Sequence, residues 1–349
     1  MADTPLGAAL KAAIARDGPM RLDRFMAACN AHYYATRDPF GRAGDFTTAP
    51  EIFQGFGECL GLWAAAVWDA MGQPARVKLV ELGPGRGTLM ADALRATARA
   101  APAFHAAAEV HLVETSAALR AHQLATVPDA THHDALPEVP DGPAIVLANE
   151  FLDALPVRHF VRRLTGWREL FIAADLAPVE LPAQEPGLPE AKPGTWLELS
   201  PERIACAQGL AARVAGQGGA ALLVDYGHGT SGTGTTLQAL RGHARADPFA
   251  APGEADLSAH VDFAAIAHAA QAAGARVAGP VAMGPFLESL GLPARAEVLA
   301  RANPARGAAL LAAAARLVSA AHMGTLFKAL AICHPGLPAP PGFPAWPNT

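Results

Sequence analysis

Three glycines at alternate positions, Gly83, Gly85 and Gly87, follow an acid near the end of a short apolar run, Val77-Lys-Leu-Val-Glu81-Leu82. Glycine tolerates positive φ and lets a ligand approach bare backbone, and a helix start offers N–H groups that have no partner within the helix. Thr88-Leu-Met-Ala-Asp-Ala-Leu-Arg95 returns leucines at helical spacing. The glycines therefore lie in a turn between a strand and a helix N-terminus, a place suited to a small polar ligand. The acid narrows the choice of ligand. A carboxylate at Glu81 repels a pyrophosphate and attracts a molecule carrying an ammonium and a sulfonium. A dinucleotide fingerprint would also need glycine or alanine where Thr88 stands, so the fit to a nicotinamide cofactor is imperfect.

A second acid, Glu114, ends the run Glu109-Val-His-Leu-Val, and Ser116 opens a helix directly after it. An acid in that βα turn can accept both hydroxyls of a ribose. Pro143-Ala-Ile-Val-Leu-Ala-Asn149 reads as a buried strand running into Glu150-Phe-Leu-Asp153. In a doubly wound sheet the carboxyl end of the fourth strand faces the ligand crevice, which puts Asn149, Glu150 and Asp153 where a reaction would occur. Upstream, Tyr33-Tyr34, Asp38-Pro-Phe-Gly41 and Gly44-Asp-Phe-Thr-Thr-Ala-Pro-Glu51 make a loop dense in aromatic and polar groups. Thr48 and Glu51 also match a capping box, a purely structural alternative for Glu51. His132 and His133 have no further ligand at metal spacing, so the sequence predicts surface or cap histidines and no metal.

These residues need a scaffold. Apolar runs at 77–82, 109–114, 143–149, 219–227 and 275–281, with a last one ending at Cys333 and a short run at 130–133 taken as strand three, alternate with helical patterns and predict an α/β, doubly wound sheet. Residues 1–75 read as an amino-terminal helical subdomain over the cofactor mouth. Its first helical stretch breaks at Asp17-Gly18-Pro19, and a second helix opens at Thr48 with Gly55, Gly57 and Gly61 packed closely on a backbone or a ligand. Residues 76–334 form the sheet domain, with an insertion at 156–200. The alternation in 157–161 and 167–172 around Thr165-Gly166 predicts an inserted β-hairpin, with Arg158, Arg162, Arg163 and Arg168 on a solvated face. The proline-rich stretch 176–194 reads as loop, 227–234 as a mobile or ligand-covering loop, and 235–260 has no physical assignment. The tail, 335–349, is rich in proline and is expected to be disordered.

Composition excludes several classes. With 349 residues, 51% of them hydrophobic, the chain can bury a sizeable core. A net charge of -5 argues against a nucleic-acid partner. Cys29, Cys59, Cys206 and Cys333 are far apart and read as reduced thiols. No uninterrupted apolar run approaches the roughly 20 residues that cross a bilayer, and Asp3, Lys11, Arg16 and Asp17 interrupt any signal-peptide core. The expectation is a cytoplasmic protein without membrane insertion.

Glu81-Leu-Gly-Pro-Gly-Arg-Gly-Thr88 resembles the first motif of class I S-adenosylmethionine (SAM) methyltransferases. Joined to Tyr33-Tyr34, Asp38-Pro-Phe-Gly41, Gly44-Asp-Phe-Thr-Thr-Ala-Pro-Glu51, Val113-Glu-Thr-Ser116, Ala148-Asn-Glu-Phe-Leu-Asp-Ala-Leu-Pro156, Val224-Asp-Tyr-Gly227 and Met323-Gly-Thr-Leu-Phe-Lys328, it resembles the MidA family in motif order over most of the chain. The resemblance implies a class I methyltransferase Rossmann-like fold. SAM would be bound by Glu81, Gly83, Pro84, Gly85, Gly87, Thr88, Glu114 and Asn149, with Asp134 at the adenine amino group. It also implies a protein substrate, since mitochondrial members dimethylate an arginine of a respiratory complex I subunit and support assembly of that complex. Two departures bear on the substrate more than on the cofactor: Phe53-Gln-Gly-Phe-Gly-Glu58 replaces a common Ser-Gln-Met-Phe-Gly-Glu, and Met283 replaces a glutamine.

Methyl transfer from a sulfonium is an in-line displacement, for which holding the nucleophile within about 3–3.5 Å supplies most of the rate. A guanidinium stays protonated, so carboxylates must orient it and draw charge to the nitrogens not being methylated. Glu150 and Asp153 are the candidates, with Glu51 and Asp45 as partners. The alternatives are a SAM-binding assembly chaperone without turnover, a methyltransferase on another substrate, and a dinucleotide oxidoreductase, which Glu81 and Thr88 disfavour. The sequence leaves the oligomeric state open, a homodimer being one outcome.

Overall fold

The computed structural model describes residues 4–37, 44–45 and 47–346. The motif residues Asp38 to Gly41 and Phe46 lie outside them. The chain divides into two compact units, one made of 1–46, 153–205 and 231–260, the other of 47–152, 206–230 and 261–349. Residues 1–75, read from the sequence as one subdomain, are thus shared between the two. The insertion 156–200 falls in the same unit as the first helices.

The larger unit is built on seven strands: β1 (Val77–Leu82), β2 (Ala108–Val113), β3 (Thr131–His133), β4 (Ala144–Asn149), β5 (Gly219–His228), β6 (Arg276–Ala282) and β7 (Phe327–Cys333). Their order across the sheet is 3-2-1-4-5-7-6. The first five are parallel, and β7 runs antiparallel to both β5 and β6. Parallel strands are covered on both faces, which is why β4, Ala-Ile-Val-Leu-Ala-Asn, is buried at every position. From β1 the chain goes to β2 on one side, whereas β4 pairs on the other, and that reversal opens a crevice at the carboxyl ends. Strand β5 runs on through His228, where Gly227 and His228 pair with Val261 and Asp262, so the predicted loop from 227 begins later.

Four helices position the site: α1 (Ala49–Ile52), α2 (Gly55–Ala70), α3 (Thr88–Ala100) and α4 (Ala117–Thr126). The single helix expected from Thr48 is broken at Phe53 and Gln54, and the capping box does not form, because the Thr48 side chain makes no capping bond. The close packing expected of the glycines is on a backbone. A Cβ at Gly61 would lie 2.7 Å from Cα of Ala93 in α3, so the two helices meet without a side chain between them. Phe56, Leu60 and Trp63 of α2 join Ile145, Leu147, Leu222 and Val224 in the core, each fully buried large side chain contributing about 1.5–3 kcal/mol.

The tail is ordered as far as it is described, contrary to the expectation from its prolines. Trp63 Nε1 donates to the carbonyl of Pro341 at 3.1 Å, Phe343 packs on Phe286 with centroids 5.2 Å apart, and Trp346 lies under the guanidinium of Arg276 at 4.4 Å. Its aromatic residues supply the packing that a count of prolines overlooks. An 18-residue window within Pro304–Leu326 has mean hydropathy 1.4, but the main helix there runs only over Gly307–Val318, about 18 Å at 1.5 Å per residue against a hydrocarbon core of about 30 Å.

The smaller unit carries helices Pro5–Asp17 and Leu22–Thr36, separated at the predicted Gly18-Pro19 break. The hairpin is present as Arg158–Arg163 and Gly166–Ile172, extended by Met20–Arg21 and Trp196–Leu199. Pro178–Pro182, read as loop, pairs with Gly166–Ile172 as well; its two prolines stand at the strand ends, where a missing N–H is tolerated. Arg158 is not on a solvated face. It is 7% exposed, with Nε and Nη2 on the two oxygens of Glu169 at 2.7 and 2.9 Å. The unassigned stretch contains a three-stranded sheet, Ala244–Ala246, Gln238–Arg241 and Asp256–Ser258.

Candidate active site

Between β1 and α3 the chain turns through Gly83, Gly85 and Gly87 at φ of 61°, 54° and 80°, left-handed values that favour glycine. Gly87 is the N-cap of α3 and brings no side chain to its first N–H groups. Beside this turn, Glu81 is 3% exposed, and its Oε2 has no hydrogen-bond partner among the described residues. Burial pushes this carboxyl up to about 8, against a smaller downward pull from the N–H of Met90. A buried carboxyl oxygen left without a donor is uncommon, and it suits the cationic end of a ligand.

Glu114 stands directly beyond β2. Its Oε1 accepts the Ser116 N–H at 2.8 Å, and its Oε2 lies 3.4 Å from Nε2 of Gln123. Burial raises its pKa. Asp134, beyond β3, has its Oδ1 on Nη2 of Arg120 at 2.6 Å and a side chain 69% exposed, so its carboxylate is engaged by α4. Beyond β4, Glu150 adopts φ of 49°, a left-handed conformation that costs a non-glycine residue about 1–3 kcal/mol and often marks a functional site. Its Oε1 accepts the N–H of Ala49 at 2.8 Å and Nδ2 of Asn149 at 3.1 Å. Asn149 is 8% exposed, and its Oδ1 has no partner among the described residues.

Glu51 takes part differently from either sequence reading. Its Oε1 accepts the hydroxyl of Thr88 at 2.6 Å. Helix α1 is thereby fixed at one end to the start of α3 and at the other to Glu150. Two residues without a sequence assignment act behind this site. Asp225 on β5 is 1% exposed; its Oδ2 accepts the N–H groups of Phe151 and Leu152 at 3.2 and 2.9 Å, holding the two residues that follow Glu150. Gln123 is fully buried under the glycine turn. The end of an apolar strand pointed to Asp225, whereas nothing in the helical pattern singles out Gln123.

Asp45 and Asp153 belong to the smaller unit. Asp45 receives the hydroxyl of Tyr33 on Oδ2 at 2.5 Å and the N–H of Gly242 on Oδ1 at 2.6 Å. The Tyr34 hydroxyl donates to Oδ1 of Asp256 at 2.7 Å. Burial first, then the charge of Asp153, raises Asp256 to about 7 against the Tyr34 bond, and Asp45 adds to the rise. Within this unit the charges of Asp153 and Asp45 thus act on Asp256 beside two tyrosines. Asp256 lay in the stretch the sequence left unassigned. His132 and His133, half-buried, bond to Gln123 and His111, and no cluster able to hold a metal occurs among the described residues.

A family model for S-adenosyl-L-methionine-dependent methyltransferases matches residues 59–281. The protein arginine methyltransferase NDUFAF7 of Mus musculus mitochondria is 37% identical over 85% of this chain and 76% of its own length. Its homolog in Drosophila melanogaster is also 37% identical, over 93% and 83%. A Burkholderia thailandensis structure bound to S-adenosyl-homocysteine superposes with a TM-score of 0.83 at 29% identity, covering 97% of this chain and 93% of that one.

Proposed function

The chain belongs to the MidA family of SAM-dependent methyltransferases, and on that premise we propose that it methylates an arginine of a protein substrate. Arginine is supported by the NDUFAF7 relatives, which are protein arginine methyltransferases, and a subunit of respiratory complex I is the substrate class we favour from the motif resemblance. The residues fit the cofactor: the orphaned Oε2 of Glu81 and Oδ1 of Asn149 are buried acceptors at the ends of adjacent strands, and a turn of left-handed glycines lies beside them.

SAM supplies an electrophilic methyl group on a sulfonium. Glu81, ionised as the cationic end binds, would supply negative charge to it, Gly83, Pro84, Gly85 and Gly87 would give backbone access, Thr88 would begin the helix that faces it, and Glu114 would accept ribose hydroxyls. We assign Asp134 a peripheral part at the adenine end, because Arg120 already holds its carboxylate.

The observation that carries the reading is Glu150, a carboxylate in a strained backbone conformation with Oε1 fixed by two donors. A carboxylate held in this way can pair with a guanidinium in one orientation and leave a chosen nitrogen for attack. That nitrogen forms the new bond to the methyl carbon as the sulfonium–carbon bond breaks, and it afterwards loses a proton. Glu51 keeps α1, and through Ala49 the carboxylate of Glu150, in place. Asp153 and Asp45 we assign to the substrate side, with the tyrosines that hold Asp45 and Asp256.

Calorimetric titration with SAM and S-adenosylhomocysteine, followed by a labelled-methyl assay on the complex I subunit that corresponds to the mitochondrial substrate, tests the proposal. Binding with label on arginine is the expected result. Binding with label on another residue type, or none, would refute the arginine assignment.

A further inference from the structure

We propose that Gln123 is a positioning residue for the cofactor: a buried amide that locks the glycine turn after β1 and the acid after β2 into one register, with His132 of β3 fixing the direction in which it faces. The inference rests on the reading of Glu81 to Thr88 and Glu114 as the SAM site.

Gln123 lies on the inward face of α4 with no exposed surface. Its Nε2 donates to the carbonyl of Gly85 at 2.7 Å and lies 3.4 Å from Oε2 of Glu114. At the other end of the same amide, Oε1 meets Nε2 of His132 at 3.0 Å. One side chain therefore reaches the exits of three neighbouring parallel strands. The orientation follows from the partners. Gly85 and Glu114 offer only acceptors, so the NH2 group must face them, and His132 must then donate from Nε2. An amide turned over would set oxygen against oxygen at Gly85.

The consequence for a ligand comes from peptide geometry. A trans peptide is planar, with its C=O and N–H pointing in opposite directions. Tying the Gly85 carbonyl to α4 therefore directs the backbone N–H of Arg86 away from α4. The Gly87 N–H closes the turn on the carbonyl of Pro84 at 2.8 Å, and the bond from Gln123 adds a preferred orientation for the peptide within it, since Gly85 can rotate more freely than any other residue. The same amide steadies the carboxylate of Glu114, whose other oxygen is held by Ser116. Gln123 thus supplies the rigidity that the glycines give up, without touching the cofactor.

Titration of the full chain with SAM at pH 6 and pH 8, for the wild type, Gln123→Leu and Gln123→Glu, tests this. Leucine removes the donor at both pH values and is expected to weaken binding by roughly 10–100-fold. Glutamate at pH 8 sets a charge against the Gly85 carbonyl and Glu114. At pH 6 its protonated form donates again, so its Kd relative to wild type should improve by at least about fivefold. A fault in packing alone would lower the unfolding midpoint and leave that ratio independent of pH. At saturating SAM, kcat should stay within about threefold, because the interaction serves ground state and transition state alike. Wild-type affinity in both variants, or a loss in Gln123→Glu that is equal at both pH values, would overturn the donor role. Should the leucine variant not fold, the pH ratio of the glutamate variant decides alone. Failure of the wild type to bind SAM would instead overturn the site reading.

Discussion

Glu81 binds its proton more tightly in the folded chain than in the unfolded one, at about 8 against 4.5. Such a group favours folding below pH 4.5, and the advantage is lost as pH rises through 8. A cationic ligand selects the ionised form, so SAM binding should release a proton and tighten between about pH 6 and pH 7.5. In Glu81→Gln that slope should flatten; an unchanged slope by calorimetry would assign it to another group. Glu150→Gln is expected to keep SAM affinity within about twofold and to lose at least about 100-fold in kcat, since the amide has nearly the shape of the carboxylate but lacks its charge and one of the two acceptor oxygens that orient a guanidinium. Retained turnover would remove Glu150 from the chemistry. Glu81, Glu114 and Glu150 were legible in the sequence because an acid at the end of an apolar strand has few structural reasons to be there. Asp256 and Gln123 were not, since burial alone gives them meaning and no local pattern reports it.

The contact between α2 and α3 depends on Gly61, where an added Cβ would meet the backbone of Ala93. Gly61→Ala should raise intrinsic helix propensity by about 1 kcal/mol and still destabilise the protein by about 1–3 kcal/mol, as α2 is forced off α3. A lower denaturant midpoint at unchanged m would show it. Strands β2 and β3 are tied by His111 Nδ1 and His133 Nε2 at 3.0 Å, and burial, then the neighbouring ring, push His111 down to about 4. The unfolded chain takes up this proton first as pH falls, so stability is full above 6.5 and should drop by about 1–3 kcal/mol as pH approaches 4. Denaturation curves of His111→Leu should lack that limb. Strands β1, β4 and β5 were readable because both faces of a parallel sheet are covered and their sequences are nearly continuous in apolar residues, whereas β3, Thr131-His-His133, carries no such run. Pro178–Pro182 and the small sheet around Gln238–Arg241 were not, because they are short and half exposed, and terminal prolines in the one and the lack of a buried alternating face in the other hide strands that pair with near neighbours in the chain.

At the level of the whole molecule, the chain passes between its two units at 46/47, 152/153, 205/206, 230/231 and 260/261. Neither unit is a continuous segment, which explains why a boundary drawn along the sequence at 75 does not match the compact units. The tail shows how far composition can mislead about such a chain. Removing 335–349 takes away the partner of Trp63 and the ring packed on Phe286, and should lower the denaturant midpoint measurably; an unaltered midpoint would mean that the tail only rests on the surface. Strand β7 has a consequence for the birth of the protein. It ends at Cys333 and fills the slot between β5 and β6, so those two strands have no partner in that slot until the chain has been made through Cys333. Open strand edges are templates for pairing with other chains. A chain made only as far as β6 therefore has the sheet divided into two raw-edged parts, and its yield in the cell depends on what shields them until β7 arrives.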